Sequence, residues 1–167
     1  GEVQTCRVIA DGIYEVSTAG HGGIMISTEL ASHILSPEAL RKGVCEGGYY
    51  CYEEDCDACI PLRELYDKGI LKQNNGYFAH YLVKSENPES KNGKIPFAKA
   101  TETEKTDFIQ WWNKTIDESL AGWNGEYWRA HEHGEAQPNA AEHEAQAENT
   151  DLNAVFDQSE LGGAKSR

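Results

Sequence analysis

Two short blocks of this sequence hold the residue types that chemistry needs. Ser17-Thr18-Ala19-Gly20-His21-Gly22-Gly23 sets a histidine among glycines at the end of an expected strand. Glycines there permit positive φ and close backbone approach, which exposes an imidazole or offers backbone N–H groups to an anion. Further along, Tyr52-Glu53-Glu54-Asp55-Cys56 stands at an expected strand-to-helix junction. A thiol in that position gains nucleophilicity from a helix N-terminus and from His21, if the fold joins them. His21 with Cys56, or with Asp55, Glu54 or Glu53 as carboxylate partner, would make a composite catalytic site for a small hydrolase or transferase. Neighbouring carboxylates, however, raise a thiol's pKa. The plainer reading therefore carries more weight. In it Cys56 is a small buried hydrophobe, residues 53–55 are a solvated cap, and the His21 block is a tight turn.

Metal binding is the next chemistry to weigh. Cys45, Cys51, Cys56 and Cys59, with His80, make a cysteine-rich stretch, but only Cys56-x-x-Cys59 has a familiar ligand spacing and its partner pair is missing. We expect no bound metal and no cofactor. The tail histidines His131, His133 and His143 stand among glutamates and read as part of a polar tail. Asn113-Lys114-Thr115 matches a glycosylation sequon, yet lies on an amphipathic helix and is set aside. No phosphate-binding loop, dinucleotide fingerprint or nucleophile elbow is present.

Composition narrows the classes further. A chain of 167 residues with 28 acidic against 15 basic residues has a formal charge of −13. Such a field repels phosphate backbones, so direct nucleic-acid binding is not expected, whereas a protein partner with a basic surface is. No apolar run approaches the ~20 residues of a spanning helix, so no membrane association is expected. The opening Gly1-Glu2-Val3-Gln4 has neither initiating Met nor signal-peptide pattern and fits a trimmed start. Five cysteines are an odd count, which favours free thiols in a reducing cytoplasm.

The elements that must position these residues form an α+β pattern. Residues 5–18 alternate as two strands around Asp11-Gly12, a hairpin signal, and residues 24–26 continue as a third. Ser27 or Thr28 caps a helix carrying Leu30, Ile34 and Leu35; Ser36-Pro37 starts another, closed by Gly43. Gly47-Gly48 leads into an aromatic strand over residues 49–52. Glu53-Glu54-Asp55 reads as the acidic first turn of a helix whose buried side is Cys56, Cys59, Ile60, Leu62, Leu65 and Tyr66, broken in its middle by Pro61. After Asn74-Asn75-Gly76, residues 77–83 read as a strand and residues 85–93 as a loop. Residues 101–120 make the clearest helix, with a Thr101/Glu104 capping box, a stripe of Phe108, Trp112, Ile116 and Leu120 widened by Ile109 and Trp111, and an end at Gly122. We expect a small antiparallel sheet packed against two or three helices over residues 1–130. Residues 131–167 read as a polar acidic tail, with a short docking helix at 151–161.

The two blocks in combination resemble an uncharacterised domain family of bacteriophage and conjugative-element proteins, sometimes found within large multi-domain chains. The resemblance covers roughly residues 5–70 and implies no activity, substrate or catalytic residue. In such relatives an aromatic residue, often Trp, precedes the acidic run; here Tyr50 and Tyr52 flank Cys51. With the charge, it leads to an expected function: a non-enzymatic accessory protein of a mobile element, binding a basic partner as a nucleic-acid mimic against host defence. The His21 hydrolase or transferase is the alternative.

Overall fold

Asp11-Gly12 turns the chain with Gly12 at a φ of +79°, a region that costs glycine nothing. The turn joins β1 (Thr5–Ala10) to β2 (Ile13–Ser17), and β3 (Gly22–Ser27) adds to β2, all antiparallel. The computed structural model describes residues 1–72 and 76–132. From β3 the chain enters α1 (Thr28–Ile34), where the Ser27 hydroxyl accepts from the Leu30 N–H at 3.3 Å. It enters α2 (Pro37–Lys42) through Ser36, which caps Ala39 at 3.1 Å with Pro37 in the first turn.

Gly47 and Gly48, at φ +59° and +83°, form the two-residue turn between β4 (Val44–Glu46) and β5 (Tyr49–Glu53). β5 returns beside β3, so the five-stranded sheet runs β1-β2-β3-β5-β4. One face buries Ile13, Ile24, Ile26 and Tyr52 against α1 and the rest of the core. The other face carries, in direct register across all five strands, Val8, Tyr14, Met25, Cys51 and Val44.

α3 (Cys59–Asp67) packs on α4 (Glu102–Trp123), and α5 (Gly125–Glu132) folds back on α4. Between them, β6 (Leu82–Lys84) and β7 (Lys94–Pro96) form a small second sheet. The Thr101/Glu104 capping box is present, and Trp112, Ile116 and Leu120 are buried. The architecture is α+β, as the sequence implies.

Several local expectations are corrected. Residues 77–83 are not one strand: Phe78–His80 is a 3-10 turn, followed by β6. A strand would send Tyr77 and Phe78 to opposite faces, whereas both bury against Trp112, at ring-centroid distances of 6.3 and 5.2 Å. The acidic run is not a first helical turn. Glu53 ends β5, its carbonyl accepts from the N–H groups of Asp57 and Ala58 at 3.0 and 2.9 Å, and α3 begins only at Cys59. Pro61 therefore falls in the first turn of α3, where its missing N–H is not needed, and does not divide the helix. Trp111 is exposed rather than part of the buried stripe, and α4 runs through Gly122 to Trp123. The expected docking helix at 151–161 and the tail beyond Glu132 lie outside the described residues. Among the described residues, no helix is long and apolar enough to cross a membrane.

Candidate functional site

The His21 block is first of all a turn. Thr18 donates its N–H to the His21 carbonyl at 2.7 Å, and the His21 N–H donates to the Thr18 hydroxyl at 3.2 Å. That pairing closes the β2–β3 connection and projects the imidazole outward. Beyond it the two glycines serve close approach to β5. A Cβ on Gly22 would run into the Glu54 carboxylate, and one on Gly23 into the Tyr52 carbonyl oxygen. The Glu54 N–H donates to the Gly22 carbonyl at 2.9 Å. The two sequence blocks are thus neighbours on adjacent strands.

His21 Nδ1 lies 2.9 Å from Glu53 Oε1, and the Cys56 thiol donates to Glu53 Oε2 at 3.3 Å. One carboxylate therefore stands between the imidazole and the sulfur. Nucleophilic catalysis by cysteine needs the base on the thiol and the carboxylate behind the base. Here the order is reversed. The Cys56 thiol is pushed up to about 11, first by desolvation, then by its hydrogen bond to Glu53 and the charges of Asp57 and Glu53. It is protonated at neutral pH. It is also half-buried in a turn, not on the buried side of a helix as expected from sequence.

Glu54 and Asp55 are exposed, and Asp57 is partly covered. Among the described residues no Lys or Arg forms an ion pair with Glu53, Glu54, Asp55 or Asp57. Asn124, the residue between α4 and α5, holds their turn from beneath: its Nδ2 donates to the Cys56 carbonyl at 2.7 Å and lies 3.6 Å from the Cys59 sulfur. The cysteines are dispersed and all free. Cys45 sits on β4, Cys51 on β5, Cys56 in the turn, and Cys59 is buried in α3. Among the described residues no group of three or more His, Cys, Asp and Glu side chains is placed to hold a metal ion.

Sequence reasoning missed a second polar cluster. Glu64 of α3 is buried and accepts from the Ser36 N–H at 2.8 Å, from the Ser36 hydroxyl, and from the Tyr127 hydroxyl at 3.0 Å. His131 stacks on Tyr127 with ring centroids 4.1 Å apart, its Nε2 3.0 Å from the Tyr127 hydroxyl. Every hydroxyl here is engaged in tying α2, α3 and α5 together, which gives the cluster a structural task. Beside it Arg63 donates to Asn113 Oδ1 at 2.7 Å and to Asp117, joining α3 to α4. Asn113, the residue of the sequon, is thereby in use. Tyr127 and His131, four apart, were the available sign that residues beyond 124 continue as a helix. Two shallow grooves along α4 and α5, near Trp128, include none of His21, Glu53 and Cys56.

A family model described as a domain of unknown function, DUF7007, matches residues 1–154. The chain belongs to that family. The match runs past α5 into residues read from sequence as tail, so the family pattern is longer than the described fold. Among curated proteins and among solved structures nothing matches the chain.

Proposed function

We propose that this family member is a non-enzymatic binding module of the cytoplasm that engages a protein with a basic surface through its acidic β5–α3 turn. Four carboxylates within five residues, Glu53, Glu54, Asp55 and Asp57, with no Lys or Arg among the described residues paired to them, carry this reading. Residues 1–132 hold 21 acidic and 13 basic residues, so −8 of the −13 belongs to the described fold and −5 to residues 133–167. Unneutralised charge on a folded surface is the kind that steers association with an opposite field. The sequence resemblance adds the setting: an accessory protein of a bacteriophage or conjugative element, whose carboxylates stand in for phosphates before a basic defence protein.

The alternative, a small hydrolase or transferase using His21 with Cys56 or a carboxylate of residues 53–55, has weaker support. Glu53 occupies the place between His21 and Cys56, and the thiol is protonated. The deciding experiment is capture from a bacterial lysate at low and high salt. It compares the intact chain, a chain lacking residues 133–167, and a variant with Glu53, Glu54, Asp55 and Asp57 changed to Gln or Asn. Salt-sensitive capture lost only in the four-acid variant is the expected result, since screening tightens to about 8 Å at physiological salt. Capture indifferent to salt and to those acids overturns the reading.

A further inference from the structure

An antiparallel sheet with one solvated face normally alternates apolar inward and polar outward. This sheet does not. Its outward positions across the centre are Val8, Tyr14, Met25, Cys51 and Val44, in register from edge to edge. The two ends of that row are open: Val8 is 61% and Val44 64% exposed. The inward positions are already covered by the core, so the apolar row is not a second core layer. Tyr14, Met25 and Cys51 between them are half-buried, and a contiguous apolar row open at both ends marks an interaction site. Met25, the chain's only methionine, lies at its centre, and its flexible thioether adapts to varied partners.

Charge identifies the occupant. The next outward position along β5 is Glu53, whose cross-strand partner Gly23 has no side chain, so the row runs directly into the acidic turn. At the opposite end Glu46 pairs with Tyr49 on the same face. The only basic residue in these five strands is Arg7, which is turned to the other side, paired with Glu15 at 2.8 Å and packed over the Tyr77 ring. Two copies joined face to face would bring the carboxylates of these strands against one another, with no outward cation on the strands themselves to meet them. A second copy is therefore the wrong occupant.

We infer that this outward face is a docking surface for a protein segment whose apolar side chains are flanked by lysines or arginines. The apolar row takes the hydrophobic residues, while Glu53 with its turn and Glu46 take the cations. The inference rests on the reading of the acidic turn as a binding element and adds the surface that would give it selectivity. An acidic turn alone attracts any cation; a turn beside an apolar strip selects among cationic partners.

The test uses the full chain and labelled synthetic peptides of one length: alternating Leu-Lys, alternating Ser-Lys and alternating Leu-Glu. By fluorescence anisotropy, Leu-Lys should bind about tenfold more tightly than either control, a difference of roughly 1.4 kcal/mol. The double variant Val8→Ser/Val44→Ser alters two exposed positions and should keep its melting temperature. It should lose most of the Leu-Lys preference while leaving Ser-Lys binding unchanged. Equal binding of Leu-Lys and Ser-Lys overturns the docking face and leaves the acidic-turn reading standing. Leu-Lys binding that ignores salt and survives the four-acid variant overturns the acidic-turn reading and leaves the apolar face standing. Sedimentation showing a dimer that Val8→Ser/Val44→Ser dissolves would make a second copy the occupant and overturn the inference. A gain in Leu-Lys affinity on deleting residues 133–167 would assign the face to the chain's own C-terminal residues and overturn it as well.

Discussion

Asn124 donates its Nδ2 hydrogen to the carbonyl of Cys56 at 2.7 Å, a bond that spans 68 residues of chain. It fastens the acidic turn to the end of α4. Asn124 is itself buried. Replacing it with Ala leaves that carbonyl only the weak Cys59 thiol donor at 3.3 Å, a loss worth about 1–3 kcal/mol. Chemical denaturation of Asn124→Ala should show that cost, and hydrogen exchange should quicken at Asp57 and Ala58. An unchanged midpoint would mean that the turn holds without α4.

The Glu64 cluster predicts a larger effect. Removing the buried carboxylate strands three neutral donors at once, each worth about 1–3 kcal/mol, so Glu64→Ala should cost more than the loss of any one of them. Tyr127→Phe removes a single donor at 3.0 Å and should cost about 1–3 kcal/mol. The double variant should fall short of the sum, because both changes break the same bond. Full additivity in thermal or urea melts would show that Tyr127 and Glu64 act separately.

The raised Cys56 thiol makes a pH prediction whose sign is fixed. A thiol moved from 9.0 to about 11 is protonated by preference in the folded state. The fold therefore loses stability as pH rises from about 9 through 11, and Cys56 resists alkylation below that range. With iodoacetamide at pH 8, mass spectrometry should find the exposed Cys6 and Cys45 modified well before Cys56. Glu53→Gln removes a raising charge and should speed Cys56 modification. A thiolate already reactive near pH 7 would contradict the geometry described above.

Gly22 and Gly23 should respond differently to the same added methyl group. At Gly22 the obstacle is the end of the Glu54 side chain, which can swing away; at Gly23 it is the Tyr52 backbone carbonyl, which cannot. Gly23→Ala should therefore cost about 1–3 kcal/mol, with Gly22→Ala well below it. Equal melting temperatures for the two variants would sink this account.

What could be read from sequence was what local bonds enforce. The Asp11-Gly12 hairpin, the Ser27 and Ser36 caps and the Thr101/Glu104 box all satisfy their own backbone within a few residues. The elements that were missed or misread take their shape from distant partners. Tyr77 and Phe78 have strand-like composition but bury together on Trp112, and α5 buries Tyr127 with its hydroxyl on Glu64, 63 residues away. β4 and β7, three residues each, are too short to show a period. At the site, the two blocks were visible as chemistry. That Glu53 would be the residue between His21 and Cys56, and Asn124 the support beneath, depended on the β3–β5 register and on the end of α4.

The five-stranded sheet is complete at Glu53, yet α4 begins only at Glu102. During synthesis the sheet can pair early, since its strands are joined mostly by short connections. Until α3 and α4 follow, it is apolar on both sides: Ile13, Ile24 and Ile26 on one, Val8, Tyr14 and Met25 on the other. At roughly 5–20 residues per second that interval lasts a few seconds, and it is when nascent chains are most prone to join one another. Faster translation between β5 and α4, or a chaperone holding the half-made sheet, should therefore raise soluble yield without any change to the finished protein.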